Sequence, residues 1–200
     1  LEGEIATSNK PLRSGKSQCY EGGIRVPLIV SGPDLPGEYI VDYPVISMDI
    51  FPTMLAMAGI ELMPHTHMDG ISLMPLLTGE KKRLERNNLF WHYPHYQTMP
   101  PHGAVRSGDW KLIEDYETGQ IELFYLKEDL SESNDLSSSY PEKLTELKEL
   151  FNNHLKEVNA PMPTLNYDYN PGKDGRACES YGARDERELQ QPEYLNRKKK

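Results

Sequence analysis

Between Ala104 and Val158 the sequence changes its period once, and no other feature restricts the fold as much. "AVRSG", "WKLIEDY" and "IELFYLKE" alternate with period two, separated by turn residues at Ser107-Gly108-Asp109 and Glu117-Thr118-Gly119. They predict three strands of a small antiparallel meander. A meander this size needs cover on one face, and the next segment, "SYPEKLTELKELFNNHLKEVN" from Ser139, provides it. Leu144, Leu147, Phe151, Leu155 and Val158 fall on one helical face. Ser139 and Glu142 are spaced as a capping box, Pro141 sits in the first turn, and Pro161 and Pro163 follow the end.

Upstream, "IRVPLIVSGPDLPG" predicts a short buried strand over Val26–Val30, closed by a turn at Gly32-Pro33. "DYPVISMDIFPTMLAMAGIELM" predicts a helix capped by Asp49 or Ser47 and stopped at Gly59, packing Ile50, Phe51, Met54, Leu55 and Ala58 on a core. Pro75 and Gly79 limit "ISLMPLLTGEKKRLERNN" to a helical turn or two. The expected class is α/β. An early strand-helix unit reads as part of a larger sheet, and residues beyond about Asn166 read as an extended polar tail.

Charge narrows the function classes. With 31 acidic against 22 basic residues the net charge is -9, which argues against a general nucleic-acid binder and requires any anion site to be locally basic. No apolar stretch is long enough to span a bilayer, and the first ten residues carry no secretory h-region. The tripeptide Gly15-Lys16-Ser17 imitates half a P-loop. The glycine that motif needs five positions earlier is Lys10 here, followed by Pro11 and Leu12, so no nucleotide cradle forms.

Two readings of Lys16 stand side by side: a solvated loop, which composition alone favours, or a mobile charge held by glycine-containing backbone toward an oxyanion. Arg25 is expected to pair with a carboxylate such as Glu21. His65, His67 and Asp69 are too few for a metal, and a loop without one is expected. "WHYPHY" interleaves His92 and His95 with Trp91, Tyr93 and Tyr96, suiting either a sugar-binding rim or a packed aromatic loop between subdomains. Cys19 and Cys178 are far apart and say little about compartment. No Gly-x-Ser-x-Gly, His-Glu-x-x-His or Cys-x-x-Cys occurs, so no complete catalytic set is present.

Six blocks in order, "NKPLRSGKSQCYEGGIRVPLIVSGP", "VISMDIFPTMLAMAGI", "DGISLMPLLTG", "LFWHYPHY", "AVRSGDWKLIE" and "ELFYLKEDLSESNDL", resemble the C-terminal part of the type I sulfatases, arylsulfatase-type enzymes of the alkaline phosphatase superfamily. The resemblance runs from about Ser8 to Pro163. It implies an alkaline-phosphatase-like α/β fold whose main domain ends near residue 90, a subdomain of meander and helix over 91–165, and the tail over 166–200. It further implies hydrolysis of sulfate esters, of sulfated carbohydrates or aryl sulfates, by a formylglycine nucleophile with Ca2+. Lys16 aligns with the family's sulfate-contacting lysine, and His92 and His95 would lie near the sugar.

The resemblance has departures. The Cys-x-Pro-Ser-Arg motif that yields formylglycine is absent, and the family's Asp-Asn metal ligands would lie upstream of Leu1. Ser14 and Ser17 replace the glycines usual on either side of Gly15-Lys16. The segment is therefore expected to be inactive alone and to need the N-terminal part of the same enzyme as its partner. An exported location, periplasmic, extracellular or lysosomal, is also implied. The alternatives are a phosphate or phosphonate ester hydrolase of the same superfamily, or a non-catalytic fragment.

Overall fold

The computed structural model describes residues 8–32, 35–66, 69–97 and 99–164. The tail expected from residue 166, Cys178 and His67 lie outside the described residues. The chain divides into two compact units, one formed by the described residues up to Val26 and from Phe90 onward, the other by Pro27–Leu89.

The first unit is built on an antiparallel sheet in the order β1-β2-β3-β4: β1 (Asn88–Tyr93), β2 (His102–Ser107), β3 (Trp110–Asp115) and β4 (Ile121–Tyr125). The three strands predicted from alternation are present. Ser107 pairs with Trp110 across a Gly108-Asp109 loop, and Gly108 has φ +60°, a positive φ that primed hairpin turns need at this position. β1 is an addition. Its "NLFWHY" hides a strand because Leu89, Phe90 and Trp91 are consecutive and break the alternation, and Pro94 follows at once.

The predicted cover is also present: a helix over Pro141–Glu157 packs Leu147, Phe151 and Leu155 on Val105, Leu112 and Leu123. Its start differs from expectation, since no side-chain cap forms and Tyr140 is the N-cap. The amides of Ser139 and Tyr140 both donate to the Leu136 carbonyl, so the preceding turn takes Ser139 away from the capping position. Val158 is half exposed rather than part of the buried face.

The sheet buries its second face too. Ala104, Ile113 and Phe124 pack on Cys19, Tyr20, Met99 and Leu126. One-sided cover was the expectation; the N-terminal loop supplies the other side. That loop carries a single helical turn over Glu21–Ile24.

In the second unit, a 3-10 turn (Ser47–Asp49) runs into a helix over Ile50–Met57 that ends, as expected, near Gly59. Its buried face matches the predicted apolar one only at Leu55. Pro52, Thr53 and Leu55 are buried, whereas Ile50, Phe51 and Met54 are exposed. Polar anchors set the orientation. Asp49, fully buried, accepts from the Ile46 and Ile71 amides and takes Arg86 bidentately at 2.7 and 2.6 Å. Thr53 Oγ1 accepts from the Leu73 amide at 2.8 Å. Burial pushes the Asp49 carboxyl up, but Arg86 and the two amides outweigh it and hold the group below its usual range. A turn over Met74–Leu77 contributes Leu76 to a small core with Leu73 and Leu84.

The strand predicted over Val26–Val30 does not form among the described residues. Val26 and Ile29 are 80% and 91% exposed. A strand exists through its ladder, and this segment has no ladder partner among the described residues; Pro27 also lacks a donor.

Candidate functional site

The loop bearing Lys16 is held by its own glycines. The Gly22 amide donates to the Arg13 carbonyl at 2.8 Å and Asn9 Nδ2 donates to the Gly22 carbonyl at 2.7 Å. A Cβ on Gly22 would lie 2.4 Å from the Arg13 and Ser14 carbonyl oxygens, and one on Gly23 would lie 2.0 Å from the Gln18 oxygen and 2.4 Å from that of Gly15. These obstacles are backbone atoms, which no rotamer change removes. Gly23→Ala is therefore expected to cost about 3 kcal/mol by overpacking, read as a lower midpoint in denaturant; an unchanged midpoint would show that the loop is free to move off the glycines.

Ser14 and Ser17 have φ +65° and +75°, the left-handed region that favours glycine. The two positions where the resemblance leads one to expect glycine thus bend as glycines would. Ser14 Oγ donates to Gln18 Oε1 across the bend. Lys16, between these bends, is exposed and has no ion-pair partner among the described residues.

Beneath the loop lies a charged cluster that sequence reasoning missed. Lys111, on β3 and fully buried, places Nζ 2.9 Å from Glu21 Oε1 and 2.8 Å from Glu132 Oε1. Glu132 Oε2 accepts from the Glu21 amide at 2.7 Å. Arg106 and Arg25 approach Glu21 Oε2 at 3.6 and 3.7 Å, so the expected partner of Arg25 is the observed one. Arg13 pairs with Glu122 at 3.1 Å, donates to the Glu132 carbonyl at 3.2 Å and covers the Tyr20 ring at 3.8 Å. Tyr20 in turn donates to Glu122. Burial raises the Glu132 carboxyl above its ordinary range against the pull of Lys111.

His102 makes a second join between loop and sheet. Its Nδ1 lies 2.7 Å from the Pro100 carbonyl and its Nε2 accepts from the Cys19 amide at 3.2 Å. The carbonyl can only accept and the amide can only donate, so the proton sits on Nδ1. Burial lowers the ring's proton affinity, in keeping with that neutral form. Cys19 is a buried free thiol, its pKa pushed up to about 12 by burial, and hence unreactive.

The two histidines of "WHYPHY" differ. His92 has both ring nitrogens engaged, Nδ1 with the Tyr116 hydroxyl at 2.8 Å and Nε2 with the Pro161 carbonyl at 2.9 Å. His95 is exposed, edge-on to Tyr93, and the Tyr93 ring also meets His102 at 5.6 Å. A continuous run of contacts therefore leads from Cys19 in the loop through His102 and Tyr93 to His95. No hydrogen bond, ion pair or ring contact joins Lys16 itself to either histidine among the described residues.

The described residues do not fit a calcium site. No group of three or more His, Cys, Asp or Glu able to hold a metal occurs among them, the buried carboxylates of Glu21 and Glu132 are turned on Lys111, and Asp49 is held by Arg86. His65 and Asp69 are both exposed. No described helix is long and apolar enough to cross a membrane.

The family described as "N-sulphoglucosamine sulphohydrolase, C-terminal" matches residues 15–160. A sulfatase of Formosa agariphila is 36% identical over 163 residues, covering 75% of this chain and 30% of that protein. Among solved structures, a 2-O GAG sulfatase superimposes with a TM-score of 0.51 at 26% identity, over 62% of this chain and 27% of the other. A phosphonate monoester hydrolase from Silicibacter pomeroyi also gives 0.51, at 22% identity over 64% and 28%, a likeness of fold alone. The chain spans less than a third of the length of the sulfatases it matches.

Proposed function

The chain belongs to the sulfatases through the C-terminal domain that covers residues 15–160, and from that premise we propose that the full-length protein hydrolyses sulfate esters of carbohydrates, with Lys16 as the cation that holds the sulfate. The observation that carries the reading is the contrast within one loop. Arg13, Arg25, Arg106 and Lys111 are each paired with a carboxylate, whereas Lys16 is held out by two left-handed bends with no ion-pair partner among the described residues. A lysine in that position is a point charge for an oxyanion, and charge developing on the sulfate oxygens as the ester bond breaks would strengthen its contact in the transition state.

His95 and His92 belong to the sugar side in this reading. His95 presents an exposed imidazole, and His92, fixed by Tyr116 and Pro161, holds the segment that carries it. Formylglycine as nucleophile and Ca2+ as further countercharge complete the reading, both supplied by residues upstream of Leu1. The segment alone is then inactive, and the N-terminal part of the enzyme is its partner. Export to the periplasm, the cell exterior or a lysosome follows the same family reading.

A substrate panel on the full-length protein tests it: an aryl sulfate, sulfated monosaccharides, an aryl phosphate and an aryl phosphonate monoester. Fastest turnover on the sulfates is expected. Phosphonate turnover with inert sulfates would favour the hydrolase whose fold is shared, and inertness on all four would leave the non-catalytic reading.

A further inference from the structure

We propose that Glu132 is a positioning residue for the anion-holding loop, gripping it on both sides of Lys16. The inference rests on the reading of Lys16 as the sulfate-holding cation. Glu132 uses two separate groups. Its backbone carbonyl accepts from Arg13, 119 residues away, and its carboxylate accepts from the Glu21 amide, 111 residues away. Lys16 lies between these two points. The residue is fully buried and adopts φ +52°, a left-handed conformation uncommon for glutamate.

A buried carboxylate is a poor choice for stability alone, because an apolar side chain of similar volume often does as well or better. What the carboxylate adds is direction. An oxygen accepting from one particular amide fixes the orientation of that peptide, which an apolar contact cannot do. The loop has need of such a fix. Residues 13–17 are half-buried or exposed, with burial beginning at Gln18, so little apolar area holds the part that carries Lys16. Lys111 sits between Glu132 and Glu21 and ties the grip to β3.

The test is a double-mutant cycle in the full-length protein, reading kcat and KM for an aryl sulfate with wild type, Glu132→Ala, Lys16→Ala and the pair. Loss of positioning predicts a fall in kcat/KM of about ten- to a hundredfold for Glu132→Ala, carried mainly by kcat. The double variant is expected to match Lys16→Ala within about threefold, because a grip has nothing to place once the ammonium is gone. A double variant that loses the product of the two factors overturns the proposal, as does a folded Glu132→Ala protein with wild-type kcat/KM. Wild-type activity in the Lys16→Ala single variant would instead sink the sulfate-lysine reading, and the grip with it. Should Glu132→Ala fail to fold, Glu132→Gln is examined by amide exchange. Faster exchange in peptides covering residues 13–23, with the β2–β3 ladder unchanged, supports the grip; equal change in both, or none, overturns it.

Discussion

Lys16→Ala in the full-length protein is expected to lower kcat for a sulfate ester about a hundred- to a thousandfold, the loss typical of removing one donor to a developing oxyanion. The thermal midpoint should stay where it was, because Lys16 is exposed and makes no ion pair among the described residues. That pairing of results is informative. A side chain that supported the loop would lower both quantities, and one that merely solvated the surface would lower neither. Inorganic sulfate offers a second readout: its inhibition constant should rise in the variant, since the product carries the same oxygens. Wild-type turnover with an unchanged inhibition constant would remove Lys16 from the site.

Lys111→Ala is expected to cost about 3–5 kcal/mol, the range seen when one partner of a buried ion pair is removed. Two carboxylates then face one another, with Glu21 left to the distant Arg106 and Arg25 contacts and Glu132 without a countercharge. Denaturant unfolding of the full-length protein measures it. A loss below about 1 kcal/mol would mean that water or a proton replaces the ammonium at little cost, and that the cluster is not a major tie between loop and sheet. The conservative Lys111→Arg should also destabilise, since a planar fork cannot occupy a site that holds a compact ammonium between two oxygens.

How much of this was legible in the sequence depends on which rule each residue obeys. Val105, Leu112, Leu123, Leu147, Phe151 and Leu155 form the core that periodicity predicts, because alternation and helical spacing are direct records of burial on one face. The same strands carried a further signal. Ala104 beside Val105, Ile113 beside Leu112 and Phe124 beside Leu123 are apolar on both sides of the pleat, which happens when both faces are covered. Lys111 shares the pleat side of Ile113, so it had to be buried and paired. Which carboxylates would pair with it was not legible. Glu21 and Glu132 lie 90 and 21 positions away, and nothing local marks them.

Other failures have local causes. The helix over Ile50–Met57 buries Leu55 but leaves Ile50, Phe51 and Met54 exposed, because Asp49 and Thr53 make specific hydrogen bonds to Arg86, Ile71 and Leu73, and period alone ranks such residues as surface. The capping box at Ser139 failed because two amides had already been drawn to the Leu136 carbonyl. For the site, Lys16 and the glycines after it stood out in the sequence through the family resemblance, whereas His102 did not. Its role as acceptor for the Cys19 amide depends on a contact across 83 residues.

The distance between the lysine loop and its anchors also imposes an order in time. Lys111 reaches Glu21 across 90 residues and Glu132 reaches Arg13 across 119. A ribosome adding about 5–20 residues per second needs roughly 5–24 s to travel that far. During this interval the loop has left the synthesis site, while the carboxylate and ammonium that fix it have not yet been made. A nascent chain halted before Glu132 therefore carries the Lys16 loop with its internal hydrogen bonds but without the carboxylate and carbonyl that anchor it from outside, and those arrive once about two-thirds of the segment has been made.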